Sequence, residues 1–136
     1  MVFKYDVEGG NFVKAGFASS EVKKILKQLN VDPQIIKRIV VALYEGEVNV
    51  VAHAFQGTVI VNIDNKQIYI RIEDKGPGIP DIDLAMKEGF STATESVREM
   101  GFGAGMGLPN IKRNTDWLDI KSIVGEGTIL EMKTNF

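Results

Sequence analysis

The stretch YIRIEDKGPGIP, Tyr69 to Pro80, decides how this chain is read. Ile68, Ile70 and Ile72 alternate with polar residues, a period of two that predicts a strand with one face on a core. Asp74 falls on the same side as those isoleucines, and Gly76-Pro77-Gly78 follows at once. An ionised carboxylate on a core face costs several kcal/mol unless it is hydrogen-bonded. Two readings stand side by side. A turn-capping aspartate before Gly and Pro accounts for Asp74-Lys75-Gly76, but not for the shared face. A ligand's amino group, such as the exocyclic amine of adenine, would supply the missing donor, with Gly76 and Gly78 letting the backbone approach a flat ring.

The strand has to belong to something, and the bulk numbers bound it. The chain has 136 residues, 44% hydrophobic and 25% charged, which fits one ordinary domain spanning 1–136. A formal net charge of -2 argues against a nucleic-acid-binding surface. Cysteine is absent, so disulfides, thiol catalysis and thiolate metal sites are excluded, and one histidine cannot build a zinc site. The start MVFKYDVEGG has no signal-like apolar run, and no segment approaches the ~20 apolar residues of a membrane span. A cytoplasmic protein with no membrane partner is the expectation.

Outward from Tyr69–Pro80, Met1 to Val7 alternates as a strand that Gly9-Gly10-Asn11 ends. Ser19-Ser20 offers an N-cap for a helix from Glu21 to Leu29, with Val22, Ile25, Leu26 and Leu29 as its stripe. Asp32-Pro33 starts a second helix running to about Ala54, apolar on more than one face and so central. Strands are expected at Thr58–Ile63 and Gln67–Glu73 around the turn Asp64-Asn65-Lys66. Lys75 to Gly105 is rich in Gly, Ser and Thr, with one short helix near Asp81–Glu88; a loop that long is functional or disordered. Gly107 to Asn114 reads as helical, and Leu118–Ile123 and Thr128–Met132 close the sheet around a GEG turn. The outcome is a two-layer α/β sandwich of the α+β kind, a mixed, mostly antiparallel sheet with helices on one face.

Three further places carry chemistry. In ALYEGEVNVVAHAF, Glu45, Asn49 and His53 recur at four-residue steps and line one side of the second helix. They form either a solvated face, or a buried glutamate that deprotonates a hydroxyl beside an amide oxygen that ligates a cation. Magnesium suits the second role, because it fills most of its shell with phosphate and water. GFGAGMGL, Gly101 to Leu108, has glycine at every second position ahead of a helix, and reads as a phosphate cradle or a hinge. It is no Walker loop, since GxxxxGK[ST] is missing. Thr128 in GEGT is in phase with Leu130 and Met132, so its hydroxyl points inward; alone it marks a hairpin.

In this order the motifs Glu45-x-x-x-Asn49-x-x-x-His53, Asp74-x-Gly76-x-Gly78, Gly103-x-Gly105-x-Gly107 and Gly127-Thr128 resemble the Bergerat-fold (GHKL) ATP-binding proteins. That superfamily includes gyrases, histidine kinases and mismatch-repair ATPases. The small bacterial anti-sigma-factor and switch serine kinases look closest, from EGEVNVVAHA, EDKGPGIPDIDLAM, EGFST and GMGLPNIKRNTD. The resemblance implies ATP and Mg²⁺ as cofactors, with Glu45 as general base and Asn49 as magnesium ligand. It implies that His53 belongs to the ATP-site motif and that Asp74 bonds the adenine amine, with Thr128 nearby through water. Gly76, Gly78 and Ile79 would shape the base pocket. Ser91, Thr92, Gly103, Gly105, Met106, Gly107 and Leu108 would belong to a lid at about residues 75–107 or to the helix behind it.

The implied reaction is ATP-dependent phosphorylation of a serine on a STAS-domain antagonist, with a sigma factor or similar regulator as a further partner. A homodimer through the first strand is an expectation from the relatives. The alternative is a nucleotide-gated binding switch that phosphorylates nothing. A histidine-kinase role lacks a dimerising hairpin with a phosphoacceptor histidine, and a gyrase-like role lacks a transducer domain.

Overall fold

Ile68, Ile70 and Ile72 are buried, and the strand that carries them lies at the middle of a five-stranded sheet. The computed structural model describes residues 1–87 and 107–136. Its strands are β1 (Val2–Glu8), β2 (Gln56–Ile63), β3 (Gln67–Lys75), β4 (Trp117–Ile123) and β5 (Gly127–Asn135). Its helices are α1 (Phe17–Gln28), α2 (Pro33–His53), α3 (Ile82–Ala85) and α4 (Gly107–Arg113), with a 3₁₀ turn at Phe12–Lys14. The strand order is β1-β2-β3-β5-β4. All four pairings are antiparallel, so the expected mixed sheet has no parallel pair among the described strands.

The two-layer plan follows from the side-chain pattern. Val59, Val61 and Ile63 of β2, the isoleucines of β3, and Leu130 and Met132 of β5 are buried on one face. Helix α2 covers them with Ile36, Ile39, Leu43 and Val50. Each fully buried aliphatic chain contributes roughly 1.5–3 kcal/mol, so this shared core, not helix propensity, holds α2 in place. Gly46 lets α2 lie close to the sheet: a Cβ there would sit 2.5 Å from Ile72 Cδ1. Asp32 caps the helix as expected, its Oδ1 accepting from the Gln34 N–H at 2.7 Å ahead of Pro33. Asp64 Oδ1 likewise accepts from the Lys66 and Gln67 N–H groups and tightens the β2–β3 turn.

The start of α1 departs from expectation. The helix begins at Phe17, behind Gly16, and not at Glu21 behind Ser19-Ser20. Ser19 is already buried inside the first turn, its Oγ donating to the Gly16 carbonyl at 3.0 Å. Capping comes from far along the chain. The Glu47 carboxylate on α2 accepts from the N–H groups of Gly16, Ala18 and Ser19, each at 3.1 Å. A 2% exposed carboxylate is tolerated because it meets the unpaired donors and positive end of a helix N-terminus. Glu47→Gln is expected to cost about 1–2 kcal/mol, since it removes the charge and turns one acceptor into a donor facing N–H groups. Urea unfolding of the two proteins checks this; equal midpoints and slopes would remove the cap from the account.

Smaller differences are extensions. Strand β3 runs on to Lys75, so Asp74 is still a strand residue, opposite Gly57. The short helix near Asp81 is the single turn α3, with Asp81 as its cap. Among the described residues no helix is long and apolar enough to cross a membrane.

Candidate functional site

Two groups of side chains converge beside α2. The first lies on the flank of the helix that faces α4. Glu45 and Asn49, one turn apart and half-buried, both point at the first residue of α4. A Cβ built on Gly107 would lie 3.1 Å from Asn49 Oδ1 and 3.4 Å from Glu45 Oε2. Glycine therefore lets the start of α4 come close to the Asn49 amide and the Glu45 carboxylate. Leu108 is buried in the core and anchors α4 behind that space. Asn110 joins them: its Nδ2 donates to Glu45 Oε1 across a long 3.5 Å, and its Oδ1 accepts from Arg113 Nη2. Sequence reading did not single out Asn110. Its spacing of three from Gly107 on a helix was the only signal, and the partner glutamate is sixty-five positions away.

The second group is built on the ends of β3, β4 and β5. Asp74 is half-buried in phase with the core isoleucines, as its place in the strand requires. Burial pushes its carboxyl above the ordinary aspartate range, and the Thr128 N–H, donating to Oδ1 at 3.1 Å, offsets only part of that rise. Gly127 makes this contact possible, because a Cβ there would fall 2.1 Å from the Asp74 carbonyl oxygen. Gly76 packs on the end of α2, where a Cβ would approach Ala54 Cα to 2.9 Å. Gly78 has φ 76°, a left-handed conformation that a side chain would strain, and it turns the chain back over Ile123. Ile79 is half-buried against the core, its N–H donating to Ser122 Oγ at 2.7 Å. Ser122 Oγ also contacts Thr128 Oγ1 at 2.9 Å and the Gly127 carbonyl at 3.2 Å.

Helix α2 spans both groups. Glu45 belongs to the first, and Ala54, at its C-cap, touches Gly76 of the second. These positions are about 13 Å apart along the axis at ~1.5 Å per residue. His53, the last helical residue, is half-buried, and desolvation pushes its imidazole below the ordinary histidine range. The folded chain therefore resists its protonation. As pH falls through about 6.5 the unfolded chain takes up that proton first, so stability drops towards acid. Denaturant titrations between about pH 7.5 and 5.5 should show this slope in the wild type and a shallower one in His53→Gln. Identical slopes would place His53 in water. Ser91, Thr92, Gly103, Gly105 and Met106, with most of the expected lid, lie outside the described residues.

The donor set suits a hard cation in a limited way. Among the described residues no three His, Cys, Asp or Glu side chains cluster. A Glu45 carboxylate and an Asn49 carbonyl are oxygen donors for an ion that takes most of its shell from phosphate and water, as Mg²⁺ does.

The chain is similar to known proteins over most of its length. The family described as histidine kinase-, DNA gyrase B- and HSP90-like ATPase matches residues 32–135. The serine/threonine-protein kinase RsbT of Bacillus subtilis (strain 168) is 34% identical over 113 residues, 80% of this chain and 79% of that protein. An anti-sigma F factor of Caldanaerobacter subterraneus subsp. tengcongensis is 34% identical over 122 residues, 85% of this chain and 81% of that one. Among solved structures, a mycobacterial sensor histidine kinase, MprB, superposes with a TM-score of 0.57 at 17% identity, covering 99% of this chain and 97% of its own. The SiaB–SiaC complex of Pseudomonas aeruginosa gives 0.58 at 11% identity, covering 98% and 89%. At those identities the structures speak for the fold alone. With the family match spanning both groups of the site, the chain belongs to the histidine kinase-, DNA gyrase B- and HSP90-like ATPases.

Proposed function

We propose that this protein is an ATP-dependent protein-serine kinase that regulates a sigma factor or similar partner by phosphorylating a STAS-domain antagonist. The observation that carries the reading is the pairing on α2: a half-buried Glu45 and Asn49 meet Gly107, while the far end of the same helix touches the turn that follows Asp74. An extended nucleoside triphosphate has its base and its terminal phosphate separated on this scale. Similarity to a serine/threonine kinase and to anti-sigma F factors over four-fifths of the chain supports the same reaction.

In this reading Asp74 accepts from the adenine amine, Thr128 lies beside it, and Gly76, Gly78 and Ile79 wall the base. Asn49 would offer its Oδ1 to Mg²⁺, which when bound would offset the charge of the phosphates. Glu45 takes the proton of the attacking serine hydroxyl, held in place by the Asn110 amide. Most of the acceleration then comes from positioning and electrostatics. His53 supports the end of α2, and the family resemblance assigns Ser91, Thr92, Gly103, Gly105 and Met106 to nucleotide binding. β1 is an edge strand, and a homodimer through it belongs to this reading.

The test is incubation of the protein with γ-labelled ATP, magnesium and the STAS-domain proteins of its own organism. Label on a serine of one of them supports the kinase and names its substrate. Tight ATP binding with no label anywhere would replace the kinase by a nucleotide-gated binding switch.

A further inference from the structure

Ser122 belongs to none of the motifs read above, yet it ties Ile79, Gly127 and Thr128 together beside Asp74. Its Oγ lies 2.7 Å from the Ile79 nitrogen, 2.9 Å from Thr128 Oγ1 and 3.2 Å from the Gly127 carbonyl oxygen. A serine hydroxyl has one hydrogen and two lone pairs. The Ile79 N–H can only donate, and the Gly127 carbonyl can only accept. The one arrangement in which all three contacts are hydrogen bonds sends the Ser122 hydrogen to Gly127 and gives one lone pair to Ile79. Thr128 meets Ser122 without repulsion only by donating its own hydrogen to the second lone pair. That leaves the Thr128 oxygen with lone pairs alone for anything else it faces. Beside it, Asp74 accepts from the Thr128 N–H through Oδ1, and an ionised carboxylate is acceptor-only as well.

We propose that Ser122 is a specificity-determining residue: by consuming the Thr128 hydrogen, it makes the pocket an all-acceptor surface that selects a base edge carrying donors. The inference rests on the nucleotide reading above and deepens it. An adenine edge presents its amine to such a surface, directly or through a water. A guanine carbonyl in the same place would set acceptor against acceptors. Without Ser122 the Thr128 hydroxyl is free to rotate and donate, and that rejection relaxes.

The experiment is calorimetric titration of wild type, Ser122→Ala, Ser122→Thr and Thr128→Val with ATP and with GTP, magnesium present. The wild type should favour ATP, and the GTP-to-ATP ratio of dissociation constants should fall about tenfold in Ser122→Ala. Ser122→Thr, which keeps the hydroxyl, should hold the wild-type ratio. Thr128→Val deletes the acceptor but leaves Ser122 bonded to Ile79 and Gly127, so its ratio should fall too, and it answers the question if Ser122→Ala does not fold. Loss of affinity for both nucleotides alike, at constant ratio, would make Ser122 a mere brace and overturn the proposal. A wild type that binds both equally would overturn it while leaving the nucleotide site standing. Binding of neither would overturn both.

Discussion

Glu45→Ala is expected to lower serine phosphorylation by about 10²–10⁴-fold, the worth of a positioned general base, while ATP affinity stays nearly unchanged. The split follows from where the carboxylate lies. Glu45 faces Gly107, on the α4 side of the helix, and meets Asn110. Asp74 and Gly76 lie by the other end of α2, so in the proposed reading removal of Glu45 leaves the base contacts intact. Labelled-phosphate transfer at saturating ATP, set beside an equilibrium binding titration of the same variant, separates the two quantities. A full transfer rate in Glu45→Ala would remove it from the chemistry. A collapse of ATP affinity would show that it acts in binding instead.

Asp74→Asn is the second large effect, about 2 kcal/mol or more in ATP binding, or roughly thirtyfold. The substitution is nearly isosteric but places an amide donor where, in the proposed reading, the adenine amine needs an acceptor. In the same reading the wild-type carboxylate is expected to make the binding pH-dependent. Burial raises the pKa of Asp74 above that of an ordinary aspartate. As pH falls through that raised value the group protonates and one acceptor becomes a donor. ATP affinity should therefore fall at a higher pH than a solvated aspartate would give, and the Asn variant should lack this fall. Nucleotide titrations of both proteins down the acid range test it. Unchanged affinity in Asp74→Asn would move the base pocket elsewhere.

The contrast between these two sites shows what could be read from residues alone. Asp74 was legible because a strand's side-chain period is two: its phase with Ile68, Ile70 and Ile72 held in the folded protein, as did that of Thr128 with Leu130 and Met132. Glu45 and Asn49 were legible because four residues make about one helical turn. Ser122 and Asn110 were not. Each acts on residues distant in the chain, Ser122 on Ile79 and Asn110 on Glu45, and short-range periodicity holds no record of such partners.

Glu47 makes the same point for the fold. Local rules placed the cap of α1 at Ser19-Ser20, the nearest residues with hydroxyls. The folded chain uses a glutamate on α2 instead, because packing of the two helices brings a buried carboxylate to three unpaired N–H groups. The sequence by itself determined the elements, the faces they bury and the helix and strand positions of Glu45, Asn49, Asp74 and Thr128, since these depend on repeats of two and 3.6 residues. Only the tertiary structure decided which carboxylate caps α1, which amide meets Glu45, and which hydroxyl meets that of Thr128. Those outcomes depend on hydrogen-bond partners that the fold brings within about 3 Å from distant parts of the chain.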